Sequence, residues 1–165
     1  MFFKQTVVLL CFFLFSCYFG EERESKPKAP VTPPLEQLAI SLSEKGYLIQ
    51  KERLIVLTFL DNLGKKSTYG EILAEKLTTE LVKKDRFLIL DRLAHQKILE
   101  KEGLSLDSSV DTSTLRKVGG VLGIQKVITG IVTPYQNGVF INTRLIEIQT
   151  GLILKADEVY VRIDD

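Results

Sequence analysis

Apolar and polar positions fall into three regimes along this chain. Residues 7–15 are an unbroken apolar run behind a single basic side chain, Lys4. Residues 18–34 turn to charge and proline. From residue 35 onward the apolar positions recur with helix and strand periods. Leu35, Leu38, Ala39 and Leu42 share one helical face, and Gly46 marks the expected stop. Residues 54–60 (Leu-Ile-Val-Leu-Thr-Phe-Leu) form a nearly continuous apolar run of strand length, as expected for a strand covered on both faces. Asp61-Asn62-Leu63-Gly64 then reads as a turn.

Thr68-Tyr69-Gly70-Glu71 has the hydroxyl-to-carboxylate spacing of a capping box and predicts a helix running to about Lys84. Leu73, Leu77 and Leu81 form its stripe, and Lys83 and Lys84 suit the negative end of the helix dipole. Residues 87–90 predict a second buried strand. Asp91 is placed to cap a helix over residues 92–102, with Gly103 after it. Asp111 or Ser113 starts a shorter helix that Gly123 ends.

The last forty residues are strand-like. Residues 126–135 are β-rich, Asn137-Gly138 signals a two-residue hairpin turn, and residues 139–148 return. Thr150-Gly151 is a further turn before a third strand over residues 152–163. There the apolar parity changes, from Leu152, Leu154 and Ala156 to Val159, Val161 and Ile163, which predicts a bulge near Asp157-Glu158. The order α-β-α-β-α-α-β-β-β gives an α/β fold. Its expected form is a single mixed β-sheet of about five strands, packed with helices and ending in an antiparallel β-meander.

The leader changes the picture of location. Lys4, the short apolar run and Ser16-Cys17 have the layout of a secretory signal peptide. Nine apolar residues at ~1.5 Å rise cover about half of a ~30 Å hydrocarbon core, too little for a membrane-spanning helix. Leu14-Phe15-Ser16-Cys17 resembles a relaxed bacterial lipobox, in which the cysteine is acylated and becomes the new N-terminus. An ordinary signal peptide or an uncleaved anchor is the alternative. The expected organisation is therefore a signal peptide at residues 1–16, an acylated Cys17 with a proline-rich tether to residue 34, and an α/β domain over residues 35–165. Four of five prolines lie in the tether, where fixed φ and missing donors favour an extended spacer. Tyr18 after Cys17 is not the aspartate that signals inner-membrane retention, which points to the outer membrane with the domain in the periplasm.

Composition narrows the chemistry. The chain has 165 residues, 22 Lys+Arg against 21 Asp+Glu, one His and two Cys. This charge balance gives no basic excess for nucleic acid. Two cysteines and one histidine cannot build a closed Cys/His zinc site. Gly119-Gly120-Val121-Leu122-Gly123 follows a helix instead of opening one, so it would meet phosphate with carbonyls. Close helix–sheet packing explains it better. His95 lacks a recognisable nucleophile or orienting acid and reads as a surface or partly packed residue. Asp61, Asp91 and Asp107 sit at element ends and read as caps, with no metal-loop spacing. Arg144 and Glu147 interrupt the middle strand of the meander, most simply as solvent-face residues, with a partner subunit as the alternative they could face. Asn142, Arg144, Lys155 and Asp157 argue against a membrane-crossing hairpin. No catalytic residue, cofactor site or metal site is expected.

Several of these short motifs occur together in one order. They are residues 54–60, Gly70-Glu71-Ile72-Leu73, Phe87-Leu88-Ile89-Leu90-Asp91-Arg92, Leu122-Gly123 before Val127-Ile128-Thr129-Gly130, and Arg144-Leu145-Ile146-Glu147 before Thr150-Gly151. In this the chain resembles the FlgO-like domain, related to the periplasmic domain of the CsgG secretion channel and the N-terminal domain of TolB. The resemblance implies a non-enzymatic envelope lipoprotein whose partners are the membrane, through its lipid, and envelope proteins of flagellar or secretion type. A subunit of an oligomeric CsgG-like export apparatus is the alternative, although sequence for that channel's membrane-crossing hairpins is missing. A periplasmic ligand-binding protein or enzyme is a second alternative. The exposed strand edges of the meander are the expected docking surface.

Overall fold

The structure, a computed structural model, describes residues 33–46, 50–106 and 111–163. The leader, Cys17, most of the proline-rich tether and Asp107 lie outside the described residues. The elements are α1 (Pro34–Ser43), β1 (Arg53–Val56), β2 (Leu60–Asp61), α2 (Thr68–Lys84), β3 (Leu88–Ile89), α3 (Arg92–Lys101), α4 (Thr112–Leu122), β4 (Lys126–Tyr135), β5 (Gly138–Glu147) and β6 (Ile153–Arg162). They form the expected mixed α/β sheet, with six strands in place of about five. Its order is β3-β1-β4-β5-β6, and β2 adds to β4 beyond the end of β1. β1 runs parallel to β3 and β4, whereas β4, β5 and β6 are antiparallel. No helix among the described residues is long and apolar enough to cross a membrane.

Alternate residues of the central strands feed two cores. Val56, Ile128, Val132, Ile141 and Leu145 pack with Leu38 and Leu42 of α1 and Leu73, Leu77 and Leu81 of α2. On the opposite face Ile55, Val127 and Ile148 pack with Leu99 of α3 and Leu115, Val118 and Leu122 of α4. α1 lies beside α2 and over β6. Lys84–Glu36 and Lys155–Glu44 ion pairs, at 2.7 and 2.8 Å, flank it.

The apolar run expected as one strand is split. Leu57 N still bonds to Ile128 O at 2.9 Å, but Phe59 turns fully into the core. Two glycines make this room. A Cβ at Gly70 would lie 1.9 Å from the Phe59 carbonyl oxygen, and one at Gly130 would lie 2.5 Å from the Phe59 ring.

Three local expectations shift. The cap of α2 is Ser67, extended at φ −135°, whose Oγ accepts from Gly70 N at 3.0 Å. Thr68 is already helical, and with glycine three residues after Ser67 the reciprocal bond from the cap's backbone N–H has no acceptor side chain. The hairpin turn is Gln136-Asn137, since Tyr135 pairs with Gly138. Gly138 sits inside β5 because a Cβ there would come within 2.4 Å of Val161 O. The bulge opposes Leu145 and Ile146, at Leu154, not near Asp157-Glu158. That extra residue returns Val159 and Val161 to the α1 side. Asp91 and Asp111 cap α3 and α4 as expected, through Ala94 N and through Ser113 N and Thr114 N.

Candidate docking site

Among the described residues, the helices leave one part of the sheet bare. α3 and α4 cover the second face around Ile55, Val127 and Ile148. Further along, the register sets side by side the rows Thr129–Arg144–Ala156, Ile131–Asn142–Glu158 and Thr133–Phe140–Tyr160. Side chains on a strand alternate faces, so these rows all point away from α1 and α2. Ile131 is 42% and Tyr135 52% exposed. Phe140 packs between Tyr135 and Tyr160, at centroid distances of 5.3 and 5.1 Å, and the Tyr160 hydroxyl donates to Asn137 Oδ1 at 2.9 Å. This aromatic cluster stiffens the hairpin end. Tilted rings in mutual contact are a packing arrangement, not a flat stacking platform.

Where the bare face meets α3 and α4 there is a groove of about 900 Å³. Leu99, Leu106, Leu115 and Ile146 give it apolar walls, and His95 and Arg144 are among its polar lining. The volume is near the upper end of ordinary ligand pockets, roughly 300–1,000 Å³. Arg92, also at the rim, is held by Glu71 at 2.7 Å and Glu75 at 2.5 Å, and these carboxylates raise its pKa. Asp111 is taken up by the start of α4. Its carboxylate accepts from the Ser113 and Thr114 amides and from Thr114 Oγ1, which holds its pKa well below the usual range. Arg144, exposed at the centre of β5, makes no hydrogen bond or ion pair among the described residues.

The sequence candidates separate cleanly on this frame. His95 is not at the surface: it is 3% exposed, because the turn of α3 that buries Leu99 buries the residue four before it. Burial lowers its pKa, against the raising influence of the Leu90 backbone and Asp91, so the ring is neutral at pH 7. Its Nδ1 has no hydrogen-bond partner among the described residues. Asp61 accepts from Leu63 N and Lys65 N at 2.9 and 2.8 Å within its turn. Asp91 is a helix cap. Glu147 accepts from Thr150 Oγ1 at 2.6 Å and stabilises the β5–β6 turn. Of the residues named from the sequence, His95, Asp111, Asn142 and Arg144 line the groove. No group of three His, Cys, Asp or Glu suited to a metal occurs among the described residues. Gly119 is a close-packing site, since a Cβ would lie 2.6 Å from Ile148 Cγ2. The bare rows around Arg144 were only faintly marked in the sequence, by polar residues at Asn142 and Arg144.

Comparison with known proteins places the fold. A family model described as FlgO protein matches residues 36–165. The LpoB C-terminal domain from Salmonella enterica superposes with a TM-score of 0.63 at 19% identity, covering 79% of this chain and 96% of that domain. The LpoB C-terminal domain from Escherichia coli gives the same TM-score, 0.63, at 17% identity and the same coverage. Lipoprotein GNA1162 from Neisseria meningitidis superposes at 0.52 with 18% identity, covering 68% of this chain and 81% of that one. At these identities the likeness is one of fold. The comparison with curated proteins found no match. With a matched span that takes in the described sheet, α2 to α4 and all of α1 but its first two residues, the chain belongs to the FlgO protein family.

Proposed function

We propose that this protein is a non-enzymatic envelope lipoprotein, anchored in the outer membrane through Cys17, whose domain docks onto other envelope proteins from the periplasmic side. The single observation that carries the docking reading is the bare second face of β4, β5 and β6. One face of the sheet is fully layered by α1 and α2, while the other leaves Ile131, Asn142, Arg144 and Glu158 open. A contiguous exposed patch with apolar content and a polar rim is the ordinary form of a protein interaction site. Membership of the FlgO family and a fold shared with LpoB and a meningococcal lipoprotein support the envelope setting. The family also motivates a flagellar role.

The sheet face is a better dock than the outer edge of β6. That edge carries Lys155, Asp157, Glu158 and Arg162, and Lys155 is tied to Glu44. Charges along an edge strand disfavour the addition of another strand. Site-specific photocrosslinking in cells tests the reading. A photoreactive residue at position 131 or 142 of the full-length protein is expected to give one discrete adduct with an envelope protein. The same residue at Lys76 or Thr79, on the exposed side of α2, is expected to give none. Equal labelling from both faces, or none from the sheet, would remove the proposal. Ladders of self-adducts would favour the oligomeric export reading.

A further inference from the structure

We infer that the groove between α3, α4 and the bare sheet face receives an extended segment of the partner protein, in which apolar side chains flank an acidic one that pairs with Arg144. This rests on the protein-docking reading above and adds the chemistry of what is docked. Two features lead to it. The first is the lining: beside Leu99 and Leu115, already buried in the second core, the half-buried Leu106 and Ile146 and the exposed Ile131 leave apolar surface open. Their burial by apolar side chains would supply the driving force.

The second is charge. Arg92 is satisfied by Glu71 and Glu75, and Asp111 by the first turn of α4, so neither seeks a ligand. Arg144 is different. It stands between Thr129 and Ala156 on the sheet floor, with Ile146 two residues along the strand on the same face and no partner among the described residues. Glu158 is its diagonal neighbour across β6, without an ion pair between them, and Glu100 stands on α3 across the groove. A guanidinium held over apolar surface binds a carboxylate in a bidentate fork, and it does so more strongly where water is displaced.

An extended peptide fits this better than a compact ligand. The lining runs from Leu57 and Leu60 across the sheet to Leu106, so the trough crosses several strands. The test is selection of random dodecapeptides displayed on phage against the full-length protein extracted from membranes. Enriched peptides are expected to carry an acidic residue flanked by apolar ones. Arg144→Glu should weaken their binding by about tenfold or more, and exchanging the peptide's acid for lysine should recover part of it. Arg144→Glu lies on solvent-exposed surface and is expected to leave the melting temperature unchanged, which separates lost recognition from lost folding. Enrichment without an acidic residue, equal binding by Arg144→Glu, or no enrichment at all would overturn the inference. If crosslinking from positions 131 and 142 still captured a partner, only the groove chemistry would fall and the docking reading would stand.

Discussion

At the level of single residues, the tightest constraints are glycines that faced one aromatic ring and its backbone. Gly70 and Gly130 admit Phe59 to the core, and neither was legible as such, because contact across 11 or 71 positions leaves no periodic trace. Gly70→Ala is expected to cost about 3 kcal/mol, since backbone must move to clear the new methyl. A fall in the urea midpoint at unchanged slope would be the signature. Ser67→Ala is expected to cost about 1 kcal/mol through loss of the α2 cap. His95 makes stability depend on pH. Its native pKa lies below the unfolded value near 6.5, so the unfolded state binds more protons in that interval and stability rises with pH. The contribution is complete above about pH 6.5 and is lost as pH falls through the native value. Melting at pH 7.5 and pH 5.0 should therefore show a larger drop for the natural chain than for His95→Leu. Asp91 and Asp111 were readable as caps because a cap is local. The burial of His95 was not, since one histidine on a helix carries no mark of which side faces the sheet.

At the level of elements, α1 is the piece whose role depends most on tertiary packing. It has no side-chain cap and begins at Pro34, whose preset φ suits the first helical position. Its anchoring comes from Leu38, Ala39 and Leu42, which are fully buried against α2 and β6. Leu42→Ala is expected to destabilise the domain by about 2–5 kcal/mol, measured by thermal or urea unfolding. Helix and strand identities followed from apolar spacing, and the meander from its β-branched runs. Boundaries failed where geometry overrode local preference. Asn137-Gly138 is a strong turn pair, yet Tyr160 and Val161 press so closely on position 138 that the glycine is needed in the strand. The turn moves back one residue, and Gln136 takes the positive φ of 50°. The parity change along β6 was visible, but its place was set by pairing with Leu145 and Ile146, which the sequence of β6 alone does not contain.

At the level of the whole molecule, the two faces of the sheet have different fates. Layering by α1 and α2 on one side was implied by the buried strands and the helices around them. The bare region on the other side was not. It exists because α3 and α4 are short, at 10 and 11 residues, while β4 and β5 each run 10 residues at a greater rise. A strand of that length reaches about twice as far as a helix of the same count, so its end emerges uncovered. That mismatch leaves the surface on which the proposed docking rests, and in that proposal a lipid at the end of the tether would hold the domain beside its partner.

The most direct measurement is mass spectrometry of the N-terminal peptide of protein extracted from the membrane fraction of its own cells. A peptide beginning at Cys17 and carrying the mass of a diacylglyceryl group, with Cys17→Ala released from the membrane, is the expected result. An unmodified Cys17 in a protein recovered from the soluble fraction would contradict it.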